Sequence, residues 1–332
     1  MKYAVIGLGA VGSIIGGLIH KKEKDIVLFG KKSQIDLLKK EGLKIEGFSR
    51  KPINLKKLKL ESDFLKLKEI DVIFICVKSQ DTENLAYEIK DYLKKDAIIV
   101  SLQNGVRNKT ILKKITNKRI ISGIVLFNSV YKKPGFVNLT YKGGIVLETK
   151  ENKDYEISKT LKDAGIKTTN VTKIKGYLYS KLIVNLQIAI TALTNQTITE
   201  SLKDENTRKI LIETMKEGIT VVKNSNILLK TLPDIDPIKM IHRMENLNKT
   251  ILSLGTFFMG IKKNARNSMW QSLTRHKSTE IDYINGEIYR LAKKNNISAP
   301  INSKLVELIK KQEKKDMINY YKPSELRNIL KI

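Results

Sequence analysis

Residues 3–12 read YAVIGLGAVG: Tyr3-Ala4-Val5-Ile6, then Gly7-Leu8-Gly9-Ala10-Val11-Gly12. The first four residues form a short apolar run suited to a buried strand, and the residues from Ala10 onward carry a helical pattern. Between strand and helix each glycine has a separate use. Gly7 permits the tight turn, Gly9 lets a pyrophosphate approach the backbone, and Gly12 lets helix and strand pack closely while the helix N-terminus faces the phosphates. In this strand–turn–helix setting the stretch predicts a dinucleotide site built from Gly7, Leu8, Gly9, Ala10, Val11 and Gly12. The competing reading is a tight structural turn.

Further apolar, β-branched runs follow at 26–29 (IVLF), 71–77 (DVIFICV), 97–101 (AIIVS) and 120–126 (IISGIVL), with helix-like stretches between several of them. That alternation predicts an α/β half with a parallel sheet covered on both faces. Residues 136–148 (FVNLTYKGGIVLE) read as a late hairpin. Past about residue 172 the strand signals stop and helical patterns run to the end of the chain. The expected organisation is an α/β domain over 1–170 and an all-α domain over 171–332. Within the second, NILLKTLPDIDP (226–237) reads as a loop because of its two prolines and acidic turn residues.

The chain has 332 residues, 41% of them hydrophobic, enough for substantial cores without covalent staples. Its single cysteine, Cys76, lies inside the apolar run 72–77, so neither a disulfide framework nor a cysteine metal site is expected, and the set of site residues contains no metal ligand. The start passes directly into strand and glycine turn, leaving no room for a signal peptide, and no run is long enough for a membrane span. The expectation is a soluble cytoplasmic protein. The formal net charge of +28 raises nucleic acid as a partner, but the 62 basic residues are nine arginines and fifty-three lysines, scattered in pairs and triplets. That distribution suits solvated faces, and no specific nucleic-acid or membrane partner is expected.

The end of the second strand discriminates between nicotinamide cofactors, since an acid there accepts ribose hydroxyls and repels a 2′-phosphate. Here IVLF runs into Gly30-Lys31-Lys32-Ser33-Gln34, with no acid in place and two ammonium groups. NADPH is the expected cofactor.

Residues 174–194 (IKGYLYSKLIVNLQIAITALT) read as one helix, apolar nearly all round, with Lys181 and Asn185 four residues apart on one face. An ammonium buried there would have a lowered pKa, as wanted of a group that gives up a proton near neutral pH, although a lysine at the edge of the helix could also snorkel to water. A second polar set is Ser268-Met269-Trp270-Gln271 followed by TEIDYING, 279–286, which reads as an ordinary helix with Ile281, Ile284 and Ile288 facing a core. On one continuous helix Ser268 and Glu280 would be about 120° out of phase, so they converge only across a break.

Taken together, GLGAVG, Lys78 closing DVIFICVK, Asn104 in LQNGV, Lys181 and Asn185 in KLIVN, Ser268 in NSMWQSL and Glu280 in STEIDYING resemble the ketopantoate reductase (2-dehydropantoate 2-reductase) family nearly end to end. The resemblance implies an N-terminal Rossmann domain and a C-terminal helical domain similar to that of 6-phosphogluconate dehydrogenases. It also implies NADPH-dependent reduction of 2-dehydropantoate to (R)-pantoate on the route to pantothenate and coenzyme A. Lys181 would be the general acid, and Glu280 would hold it and touch the cofactor. Asn185 and Ser268 would bind substrate, and Asn104 would sit between nicotinamide and substrate. Lys78 would line the cofactor side, and Lys31 would stand where members commonly carry an arginine for the 2′-phosphate, keeping the charge but losing the planar fork. The partner is then a small 2-oxo acid. The assembly is left open, a homodimer included.

Three departures bear on the substrate. Ala189 stands where members often place a further substrate-binding asparagine, Leu126-Phe127-Asn128-Ser129 replaces an expected threonine- and histidine-containing stretch, and residues 227–262 are longer than in compact members. The alternatives are a paralogue on the same scaffold reducing another small 2-oxo acid or carbonyl, and a non-enzymatic NADPH-binding protein. Retention of the lysine, asparagine, serine and glutamate set argues against the second.

Overall fold

The structure, a computed structural model, describes residues 1–22, 24–233, 235–247 and 266–332. The chain divides into two compact units, Met1–Ile174 and Lys175–Ile332.

In the first unit the order is β1 (Tyr3–Ile6), α1 (Ala10–Lys21), β2 (Ile26–Phe29), α2 (Lys32–Glu41), β3 (Leu43–Glu46), β4 (Ile53–Leu55), β5 (Lys59–Glu61), β6 (Val72–Ile75), α3 (Thr82–Ile89), β7 (Ile98–Ser101), α4 (Asn108–Thr116), β8 (Arg119–Val125), β9 (Asn128–Lys133), β10 (Phe136–Tyr141), β11 (Ile145–Glu148), α5 (Asn152–Asp163) and β12 (Thr168–Val171). Eight strands form one sheet in the order β12-β11-β8-β7-β6-β1-β2-β5. All neighbours are parallel except β11 on β8, which is antiparallel. Strands β1, β2, β6 and β7 are buried at every position, as expected of a sheet covered on both faces. Alternate residues feed two cores. Val5, Leu28, Phe74 and Val100 pack with α1 residues such as Ile14 and Leu18, while Ala4, Ile73, Ile75 and Ile99 pack with Leu85 and Ile89 of α3 and Leu112 of α4.

Residues 136–148 do not form the expected hairpin. Phe136–Tyr141 pairs antiparallel with β9 and parallel with β3 in a separate four-stranded sheet, β4-β3-β10-β9, whereas Ile145–Glu148 joins the main sheet. The Gly143-Gly144 pair marks the place where the chain leaves one sheet for the other: a Cβ on Gly143 would lie 2.3 Å from the Leu126 carbonyl oxygen and one on Gly144 2.4 Å from that of Lys167. Local pattern detects strands but not the sheet they join.

The second unit contains α6 (Lys175–Asn185), α7 (Gln187–Leu193), α8 (Ile198–Lys203), α9 (Glu205–Asn224), α10 (Pro237–Asn246), α11 (Ser268–Leu273), α12 (Asn285–Lys294), α13 (Pro300–Glu313) and α14 (Pro323–Leu330). No strand follows Val171 among the described residues. Residues 226–233, 235 and 236 lie outside any helix, and Asp236 ends them: its carboxylate accepts from the Ile238 and Lys239 amides at the start of α10. Much of the 227–262 segment read as long, residues 248–262, lies outside the described residues. The expected single helix over 174–194 is interrupted at Leu186, between α6 and α7. Apolar periodicity continues across such an interruption, so the sequence does not disclose it. Among the described residues no helix is long and apolar enough to cross a membrane.

Candidate active site

In the first unit the candidate residues gather at the carboxyl edge of the main sheet. The chain leaves β1 toward β2 on one side, and β6 lies on the other, so the glycine turn occupies the topological switch point where α/β sheets hold ligands. Gly7 has φ +100°, and a Cβ there would fall 2.7 Å from the Val77 amide nitrogen. A Cβ on Gly12 would lie 2.0 Å from the Gly7 carbonyl oxygen and 3.1 Å from Cys76 Cβ. Both glycines are demanded by the protein's own packing. Gly9 is different. Its backbone is extended (φ −75°, ψ −163°) and a Cβ would meet nothing within 4 Å. The fold therefore leaves room in front of Gly9 at the N-terminus of α1, a fit for a diphosphate approaching the backbone.

The turn is held from outside by a residue the sequence reading did not weigh. Gln34 Nε2 donates to the Leu8 carbonyl at 3.0 Å and to the Tyr131 hydroxyl at 2.7 Å, and Ser13 Oγ adds a donor to the same carbonyl at 3.3 Å. Lys31 is exposed at the N-cap of α2, while Lys32, also exposed, stands 3.8 Å from Asp36. Such an exposed i,i+4 pair contributes roughly 0.3–0.5 kcal/mol.

Lys78 and Asn104 lie on the loops after β6 and β7, joined by a buried polar network that sequence reasoning also missed. Ser79 Oγ and Asn108 Nδ2 donate to the Asn104 carbonyl at 2.5 and 2.6 Å. Gln103 Nε2 donates to the Val77 carbonyl at 3.1 Å and to Thr82 Oγ1 at 2.7 Å, and Thr82 in turn donates to Asn108 Oδ1 at 3.0 Å. Apart from the Asn108–Asn104 bond, which is local, these bonds cross between the two loops and their helices, so the network fixes the Asn104 backbone relative to Lys78. A serine directly after Lys78 and a glutamine directly before Asn104 were the available signals.

In the second unit Lys181 and Asn185 share a face of α6, one helical turn apart. Lys181 keeps part of its surface accessible, yet burial pulls its ammonium down from an ordinary value of 10.5 to about 8. Burial alone accounts for the lowering. Ala189 is fully buried in α7.

TEIDYING is not an ordinary helix. Thr279 and Glu280 precede a 3-10 turn at Ile281–Tyr283, and α12 begins only at Asn285. The break that Ser268 and Glu280 require is thus present, between the end of α11 at Leu273 and Ile281. α13 holds this irregular backbone in place. Glu313 accepts from the Thr279 amide at 2.7 Å, and Lys310 pairs with Asp282 at 2.5 Å. Ile281, Ile284 and Ile288 are buried as expected. Ser268 is exposed at the first turn of α11, and its neighbour Asn267 does the anchoring. The Asn267 side chain caps the Trp270 amide at 2.8 Å and donates to Thr191 Oγ1 at 2.6 Å and to the Ile188 carbonyl at 3.1 Å, tying α11 to α7.

The profile described as "Ketopantoate reductase PanE/ApbA" matches residues 3–152, and that described as "Ketopantoate reductase PanE/ApbA C terminal" matches residues 173–313. The chain belongs to the ketopantoate reductase family. It is an oxidoreductase with a Rossmann-type first unit and a helical second one. The 2-dehydropantoate 2-reductase of Pyrococcus horikoshii is 30% identical over 318 residues, covering 94% of this chain and 98% of the relative. Among solved structures, a PanE/ApbA family ketopantoate reductase from Ralstonia eutropha JMP134 superposes with a TM-score of 0.82 at 26% identity, covering 94% of this chain and 98% of the other. A D-mandelate dehydrogenase in ternary complex with NADH and anilino(oxo)acetate superposes with a TM-score of 0.79 at 25% identity over the same shares.

Proposed function

We propose that this member of the family reduces 2-dehydropantoate to (R)-pantoate with NADPH. The observation that carries the reading is the desolvated Lys181 ammonium, with a pKa near 8, one turn from Asn185 in a chain that also keeps the open diphosphate cradle at Gly9. Gly7 to Gly12 would hold the cofactor diphosphate, Lys31 its 2′-phosphate, and Lys78 and Asn104 the loops nearer the reacting end. When bound, the cofactor supplies a hydride to the ketone carbon. As the C=O electron pair moves onto oxygen, Lys181 donates a proton to that oxygen and leaves as the neutral amine. Most of its population is protonated at neutral pH, which is the state a general acid needs. Asn185 and Ser268 would hold the substrate, Glu280 would restrain Lys181 once ligands are bound, and a proton from water would restore the ammonium between turnovers.

A second reading, reduction of a different small 2-oxo acid on the same scaffold, is favoured by one observation. Ala189 replaces an expected polar contact with a buried methyl. Cofactor oxidation followed with 2-dehydropantoate beside pyruvate, 2-oxoisovalerate and oxaloacetate separates the two. The highest kcat/KM is expected with 2-dehydropantoate and NADPH. A higher value with any other acid overturns the first reading in favour of the second.

A further inference from the structure

We propose that Glu61, restrained by Lys66, determines how readily the protein accepts a 2′-phosphate beside Lys31; the inference rests on the dinucleotide-binding part of the reading above. The end of β2 carries no acid in the chain, but the sheet brings one alongside it. Strand β5 lies against β2 in parallel register, Val27 opposite Lys59, Leu28 opposite Leu60 and Phe29 opposite Glu61, and the Gly30 amide donates to the Glu61 carbonyl at 3.2 Å. Glu61 therefore ends the outermost strand at the same carboxyl edge that holds the glycine turn. It stands about one strand spacing, roughly 4.8 Å, from Phe29, with Lys31 two residues further along the chain.

The Glu61 carboxylate does not stand alone. Residues 62–65 turn back, with Phe64 packed on Phe29 at a ring separation of 5.9 Å, and deliver Lys66 onto the carboxylate as an ion pair. The Glu61 side chain is 23% exposed and that of Lys66 58%, so the pair sits at the surface of the edge. The neighbouring charges are already engaged: Lys59 with Asp25 at 2.8 Å, and Lys32 with Asp36 at 3.8 Å. A bare carboxylate at this level accepts ribose hydroxyls and repels a 2′-phosphate. One neutralised by an ammonium does neither strongly. Lys66 thus converts an edge suited to the unphosphorylated ribose into one that tolerates the phosphorylated form.

The test is the dissociation constant of NADPH and of NADH, read by titration of cofactor fluorescence without any substrate, for the wild type, Lys66→Ala, Glu61→Gln and the double variant. Both side chains are surface groups, so the variants fold. Lys66→Ala is expected to weaken NADPH about three-fold or more at low salt while changing NADH less than about two-fold. Glu61→Gln added to it restores NADPH affinity. An unchanged ratio of the two cofactors in Lys66→Ala overturns the proposal. So does a double variant that keeps the whole loss, because Lys66 would then act on the phosphate itself. The shift in ratio is read whichever cofactor the wild type favours. A wild type that binds NADPH but leaves 2-dehydropantoate unreduced therefore removes the substrate reading without touching this one.

Discussion

At the residue scale, the three glycines of the turn separate packing from ligand contact. Gly12→Ala places a methyl 2.0 Å from a backbone oxygen, which no rotamer relieves, and should cost about 1–3 kcal/mol or more. Gly9→Ala adds its methyl to open space on extended backbone and should shift the melting temperature little, yet weaken cofactor binding at least about ten-fold because the diphosphate can no longer reach the amides. Thermal melts beside cofactor titrations check both, and equal cofactor affinity in Gly9→Ala would remove the diphosphate from that place. Lys181 makes the stability of the protein depend on pH. Its folded pKa, about 8, lies below the ordinary 10.5, so the unfolded chain binds more protons between those values and this residue's contribution to stability rises with pH across that window. Below pH 8 the charge costs up to about 3 kcal/mol. Lys181→Met should therefore raise the melting temperature at pH 7 while lowering kcat by about 10²- to 10⁴-fold. In the wild type kcat/KM should fall as pH rises through about 8, measured as a pH–rate profile.

At the element scale, the helices that carry the second polar set are positioned by buried side chains. Glu217 of α9 accepts from the Ile301 and Asn302 amides at 2.9 and 2.8 Å, capping α13 from a different helix, and from Asn302 Nδ2 at 2.8 Å. Asn302 in turn accepts from Asn285 at 3.0 Å, at the start of α12. Glu217→Ala orphans buried donors and should cost about 2–4 kcal/mol in a denaturant melt. The far end of α13 holds the Thr279–Asp282 turn, which places Glu280 on irregular backbone rather than on a helix face. If Glu280 restrains Lys181 during turnover, the losses of Lys181→Ala and Glu280→Ala in kcat should be strongly non-additive, the double variant losing much less than their product. Strictly multiplicative losses at saturating NADPH would leave Glu280 to a separate duty.

At the scale of the whole molecule, a formal net charge of +28 spread over fifty-three lysines makes a broad positive field rather than a shaped patch. Anionic cofactor and substrate are drawn by that field. The association rate of NADPH, measured by stopped flow, should fall several-fold between about 0.02 and 0.5 M salt, with the dissociation rate changing much less.

Several features were fully legible in the chain. Strands β1, β2, β6, β7 and β8, the glycine turn, the end of strand structure after the first unit and the buried face of Ile281, Ile284 and Ile288 all follow from local periodicity and from the absence of a side chain at defined turns. Local pattern is enough there because each depends on what a residue's own neighbours along the chain allow. Tertiary structure alone decided the rest. It sent β10 and β11 to different sheets, broke the 174–194 helix at Leu186, and set Glu280 just ahead of a 3-10 turn held by Glu313 and Lys310. It also placed Glu61 beside the end of β2. These features depend on partners tens of residues away, and an interaction between groups distant in sequence leaves no period in the local pattern.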